Sequence, residues 1–175
     1  MTESDVRPRT RKTILALGGL TLCAGLLPAC SPSAEDKAAD RTWRVPKWDE
    51  NATPVTVSKH MHVEVPAEAT DRRAAYRHGL QDDELLLSFV LPDTGVSAFV
   101  EQLDPEEELW HRDRPLSAAT SMNSFSHVGL KEPEALSDVR EAQVCAPCDG
   151  GLNFLRITVH RLGGNTSRIY LEGSD

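Results

Sequence analysis

An α+β domain, a largely antiparallel β-sheet with one amphipathic helix packed on it, is the fold class that this sequence predicts. Three observations predict it. Residues 55–65 alternate between apolar and polar side chains. Leu85 to Leu91 is a continuous apolar run of strand length. Val96, Phe99, Val100 and Leu103 then fall at i, i+3, i+4 and i+7, which lays one apolar stripe along a helix. The 175 residues suffice for one domain and hardly for two.

The elements follow in order. Val55, Val57, Met61, Val63 and Val65 share one face of an expected half-buried strand, with Lys59 the exception. Thr56, Ser58, His60, His62 and Glu64 share the other face, and Pro66 ends the strand. Arg72 to His78 suits either a helix ending at Gly79 or a strand leading into the turn Gly79–Asp83, and the strand is preferred. Leu85 to Leu91 reads as a central strand buried on both faces. Pro92 stops it, and Asp93 or Thr94 is expected to cap the helix that carries Val96 to Leu103. Asp104, Pro105 and Glu106 to Glu108 have the order cap, proline, acids that starts a second, short helix. Residues 112–136 read as loop. Leu152 to Leu162 is a strand with Leu155, Ile157 and Val159 inward. Gly163, Gly164 and Asn165 turn the chain, and Arg168 to Glu172 returns with Ile169 and Leu171 inward.

Charge is unevenly distributed. Residues 1–29 hold four of the 19 basic groups and two of the 27 acidic ones; the rest of the chain keeps 15 and 25, a net charge of about −10. Such a surface repels nucleic acid, whose binding depends on neutralising phosphates. It gains nothing from anionic lipid headgroups, so attachment to a membrane needs another device. The N-terminus offers one. A basic start from Arg7 to Lys12 precedes 17 uncharged, mostly apolar residues, Thr13 to Ala29. That order is the layout of a secretory signal, and the apolar run is at the short limit for a spanning helix, which needs about 20 residues. Arg11-Lys12 lacks the second arginine of a twin-arginine export signal.

Leu27-Pro28-Ala29-Cys30 resembles the lipobox of bacterial lipoproteins. Leu27, Ala29 and Cys30 match its pattern, and Pro28 departs from the usual residue before the small one. The resemblance implies cleavage between Ala29 and Cys30, a diacylglyceryl group on the Cys30 thiol, and delivery to the outer face of the cytoplasmic membrane. Two acyl chains or more anchor stably where one does not. Residues 30–54 then read as the lipidated cysteine and a tether, with Trp43 and Trp48 expected to dock on a domain spanning 55–175. From residue 55 onward the chain is also similar to small lipoproteins of high-GC actinobacteria. Gly79-Leu80-Gln81-Asp82-Asp83 leading into Leu87-Ser88-Phe89, and Val144-Cys145-Ala146-Pro147-Cys148, carry that resemblance, which implies no activity.

The sharpest chemical feature is Cys145-Ala146-Pro147-Cys148. A C-x-x-C pair serves as a redox dithiol, half a zinc site or a structural disulfide. The strand, long helix and later proline-bearing strand of thioredoxin-like proteins are not in place around it. Parity favours a disulfide: with Cys23 in the signal and Cys30 lipidated, one pair remains for an oxidising compartment. Pro147 stands where a type I turn disfavours proline, so the ring is expected to take a special turn or an incipient helical one. His60 and His62, on one strand face, would lie roughly 6.5–7 Å apart. With His78 or His160 they could hold a metal; a solvated polar face is the expectation, and no cofactor is assigned. The acidic runs 82–84 and 106–108 lack the alternating spacing of a calcium loop. Gly95-Val96-Ser97 makes no nucleophile elbow. The expectation is therefore a non-enzymatic binding or interaction domain at the membrane. The alternative is a thiol–disulfide or metal-handling protein of the envelope, using Cys145/Cys148 or His60/His62.

Overall fold

The computed structural model describes residues 45–116 and 124–175. The expected lipobox, with Ala29 and Cys30, and Trp43 lie outside the described residues. Seven strands form one antiparallel sheet: β1 (Lys47–Trp48), β2 (Thr70–His78), β3 (Glu84–Pro92), β4 (Trp110–Arg112), β5 (Val139–Cys145), β6 (Phe154–Gly163) and β7 (Thr166–Ser174). Their order across the sheet is β1-β2-β3-β7-β6-β5-β4. Helix α1 (Pro54–His60) packs on β2 and β3, and α2 (Asp93–Leu103) on β3 and β7. Two short 3-10 turns, Phe125–Val128 and Pro133–Ala135, lie in the connection between β4 and β5. The α+β class is thus the observed one; among the described residues two α-helices pack on the sheet, where one was expected to.

β3 lies inside the sheet, third of the seven strands and paired with the middle one, β7, and both of its faces are apolar. Leu85, Leu87, Phe89 and Leu91 enter the core under the helices, while Leu86 joins Ala75, Phe125, Leu136, Val139 and Tyr170 on the opposite face. Side chains on a strand alternate between faces, so a run without polar gaps fits a strand covered on both sides. Ser88, the one hydroxyl in the run, is fully buried and donates to Ile169 O at 2.8 Å. The hairpin between β6 and β7 turns where expected. Gly163, Gly164 and Asn165 all have positive φ, a conformation that glycine and asparagine accept cheaply.

Three local expectations are corrected. Residues 54–60 form a helix, not a strand. Thr53 and Thr56 exchange hydrogen bonds in a capping box, and Pro54 occupies the first turn, where its missing N–H costs nothing. Val57 and Met61, four apart, are buried on one helical face, while Val55 is 73% exposed. An alternating pattern with a four-residue gap satisfies both periods, and the cap decided between them. Residues 104–108 form no helix. Asp104 adopts the left-handed conformation that closes α2, with its N–H on Val100 O and Glu101 O. The Glu106 carboxylate accepts instead from the Ala146 N–H at 3.0 Å and Gln143 Nε2 at 3.1 Å, which pins the segment to the end of β5. Finally, neither Asp93 nor Thr94 caps α2: the helix begins after Pro92 without a side-chain cap, and Asp93 accepts from Ser167 Oγ at 2.7 Å.

The stretch expected as tether ends in structure. β1 pairs with β2, and the Trp48 ring stacks on His127 at 4.1 Å between centroids, with the Arg77 guanidinium 5.3 Å from the ring centre. Arg77 also places Nη2 2.6 Å from Glu84 Oε2. Glu84 is 8% exposed, and neither of its carboxylate oxygens has a hydrogen bond in good line. Burial therefore pushes its carboxyl above the usual range, and Ser124 and Arg77 offset this only in part. A carboxyl whose folded pKa is raised favours the fold when neutral, and that advantage is lost as pH rises through the folded value. Glu84→Gln is accordingly expected to raise the urea midpoint at pH 7. The gain should shrink toward zero as pH falls below the ordinary carboxylate range of about 4. Urea titrations of both proteins at the two pH values check this; a variant less stable at pH 7 contradicts it.

Candidate functional site

α2 covers only part of the sheet face on which it lies. Val96 and Phe99 are buried on β3 and its neighbours, and Val100 and Leu103 pack against the same core. The other flank of the helix, carrying Ser97 and Glu101, faces a groove. At one end lies a hollow of about 410 Å³ between the start of α2 and β4–β7, lined among others by Asp93, His111, Arg140, Arg161 and Ser167. A second hollow of about 500 Å³ lies between α2 and the segment 104–109, lined among others by Glu101, Asp104, Glu107 and Glu108. Val96 and Arg140 line both, so the two hollows adjoin along α2.

The register explains this assembly. His111 on β4 stands opposite Arg140 on β5, which stands opposite Val159 on β6, and directly opposed residues share a face. The charges in the first hollow are mostly committed. His111 Nε2 is 2.7 Å from Asp138 Oδ1 and its Nδ1 is 3.2 Å from Asp113 Oδ1. Arg161 Nε is 3.4 Å from Asp93 Oδ2, while Asp93 Oδ1 holds the Ser167 hydroxyl. Arg140 is different. Among the described residues every other arginine on a strand has a hydrogen-bond or ion-pair partner, and Arg140, exposed at the junction of the two hollows, has none. One half of the groove thus keeps a free guanidinium and the other an acidic wall. Ser167 and His111 are bound to carboxylates and not to each other, so they form no nucleophile–base pair. The arrangement suits binding of a ligand that carries both signs of charge.

The histidines weighed from the sequence are dispersed. The turn after α1 separates His60 from His62, so they share no strand face. His60 meets the Tyr76 ring edge-on at 5.5 Å, and His78 meets the same ring at 4.8 Å. With Asp49 and Thr56 they line a hollow of about 140 Å³. Tyr76 Oη and His78 Nδ1 both lie on Asp83 Oδ2, at 2.5 and 3.0 Å. Burial works against charge on Asp83, but bonds from Tyr76, Gly79 N–H and His78 hold its carboxyl below the ordinary range. Burial, then the bond to Asp83, push the Tyr76 phenol well up. His62 turns away into left-handed backbone, φ 56°, and lines a fourth hollow with Cys145 and Cys148. His160 lies elsewhere, on β6 opposite Val139, where burial lowers its imidazole. Among the described residues no group of three or more His, Cys, Asp or Glu is placed to hold a metal ion. Cys145 and Cys148 form a disulfide, S–S 1.99 Å, in the connection from β5 to β6, and the Ala146–Pro147 peptide is cis, a special turn as expected.

Sequence reasoning missed Arg140, His111 and the strand that carries each to the groove. β4 has three residues and no readable alternation, and an arginine in an acidic chain carries no local sign that it lacks a partner. Fold and site together define an antiparallel α+β domain with a helix-flanked groove of mixed charge. No family model, no curated protein and no solved structure matches the chain.

Proposed function

We propose that this protein is an exported lipoprotein, held by lipid on Cys30 at the outer face of the cytoplasmic membrane, whose domain binds a ligand in the groove beside α2. The basic start, apolar run and Leu27-Pro28-Ala29-Cys30 support the address, and the acidic surface calls for a lipid anchor rather than a charge-based one. No helix of the described residues is long and apolar enough to cross a membrane. The role is binding rather than catalysis, without nucleic acid and without an assigned cofactor. Arg140 is the observation that carries the binding reading: a guanidinium unpaired beside a groove is a ready partner for a carboxylate or phosphate. The acidic wall, Glu101 with Glu107 and Glu108, suits a basic group on the same ligand. An extended peptide of mixed charge has that chemistry.

Two measurements test the reading. In cells fed labelled fatty acid, the wild-type chain should take up label and Cys30→Ala should not; an unlabelled wild-type chain overturns the address. Titration of the domain with a capped Lys-Ala-Ala-Glu peptide, followed by amide NMR, should move resonances of Val96, Ser97, Arg140 and Val159. Arg140→Gln should weaken that response by about tenfold, as loss of a charge-assisted bond implies. Shifts confined to other surfaces, or unchanged in the variant, overturn the site.

A further inference from the structure

The hollow that carries the disulfide, about 290 Å³, meets the groove only at Asp104, and Cys145, Cys148, His62 and Asp149 line it together. Both cysteines are half-buried, packed on one side against the core, and His62 and Asp149 beside them are exposed. His62 shares this hollow with both sulfur-bearing residues and its ring lies beside Gly150, two residues past Cys148. A β-carbon at Gly150 would stand 2.6 Å from His62 Nε2, so the absence of a side chain there is what admits the imidazole. Two features that the sequence showed far apart, the second histidine of His60-x-His62 and the C-x-x-C pair, are brought to one place by the turn after α1.

We propose that Cys145–Cys148 is an exchangeable disulfide and that His62 positions and transfers the proton of its leaving sulfur. The reductant is a thiol. Its thiolate attacks Cys145 Sγ, the Cys145–Cys148 bond breaks, and a mixed disulfide forms on Cys145. The electron pair leaves on Cys148, which takes a proton from the His62 imidazolium; the proton lost by the incoming thiol goes to water. A second thiol then attacks the mixed disulfide. Two thiols become one disulfide, and both cysteines end as thiols. Imidazole is the side chain that gives and takes a proton near neutral pH, and a cation beside the sulfur favours thiolate as the leaving group.

The other charges around the ring set the choice of thiol. Asp149 follows Cys148, Asp104 at the end of α2 lines the hollow, and Glu106 accepts from the Ala146 N–H. His62 is the one basic group among them, so an anionic thiol is repelled and a neutral or cationic one is not. The substrate class is a thiol without net negative charge, on a small molecule or a protein segment.

The test follows reduction of the purified full chain in detergent by thiol alkylation and mass. The probes are cysteamine, dithiothreitol and glutathione, compared at equal thiolate concentration and low salt. Rates should rise in proportion to thiol concentration without urea, in the order glutathione, dithiothreitol, cysteamine. His62→Asn, a residue that tolerates left-handed backbone, should slow reduction roughly tenfold, the modest size reflecting a proton donor that water partly replaces. Reduction that is independent of thiol concentration and tracks global unfolding overturns the proposal and makes the bridge purely structural. Equal rates in wild type and His62→Asn, with circular dichroism unchanged, overturn the role of His62.

Discussion

Arg112→Met is expected to destabilise the domain by about 3–5 kcal/mol, the cost of leaving a buried charge without its partner. Arg112 is 5% exposed. Its Nε and Nη2 donate to the two oxygens of Glu141 at 3.1 and 3.2 Å. Its remaining donors reach Arg114 O at 2.8 Å, Leu136 O at 2.7 Å and Pro133 O at 2.8 Å. One side chain thus ties strands β4 and β5 to the connection that covers this face of the sheet. Methionine fills much of the volume but leaves Glu141 and the carbonyls of Arg114 and Leu136 unpaired, Pro133 O keeping the Leu136 N–H. Urea unfolding measures the loss. The double variant Arg112→Met/Glu141→Leu should recover part of it, since the stranded carboxylate is gone. It should not recover all, because the Arg114 and Leu136 carbonyls stay orphaned. A single variant within 1 kcal/mol of wild type, roughly the value of an exposed pair, would show that water reaches the site.

Phe89→Ala is expected to cost a comparable amount, about 3–5 kcal/mol, for a different reason. Phe89 is fully buried at the centre of β3 and meets Phe99 of α2 edge-to-face, with centroids 5.2 Å apart. Removing the ring deletes buried apolar area and leaves a cavity between sheet and helix that a stiff β-strand cannot close. It also removes the aromatic pair, worth roughly 0.5–1.5 kcal/mol beyond burial. Phe99→Ala should therefore cost less in the Phe89→Ala background than alone, and the difference read from a double-mutant cycle measures the pair. Strict additivity would mean that the rings act only through the area each buries. α2 also walls the groove, so peptide binding should weaken in Phe89→Ala even where the domain remains folded.

How much could be read in advance differs from element to element. The apolar run 85–91, the stripe from Val96 to Leu103 and the Gly163-Gly164-Asn165 turn state their conformations locally. In each, the period of side-chain burial or the need for positive φ is written into neighbouring residues. Residues 54–60 show the limit of that reading. Val55 and Val57 alternate as a strand would, but Val57 and Met61 also lie one helical turn apart, and the Thr53–Thr56 exchange of hydrogen bonds selects the helix. The acids after Asp104 show another limit. They have the order of a helix start, yet Glu106 finds backbone and side-chain donors on β5, forty residues away in the chain.

The sequence by itself determined the class of fold, its central strand, the stripe of α2, the last hairpin and the pairing expected for Cys145 and Cys148. All of these rest on periodicity, turn chemistry or parity, which are properties of neighbours and counts. Only the tertiary structure decided that α1 is a helix, that His62 and not His60 shares a hollow with the disulfide, and that Arg140 stands unpaired over a groove. A charge is free or paired according to what the sheet register sets across from it. That register joins β4 to β5 and β5 to β6 through contacts between residues distant in the chain, where no local pattern can reach.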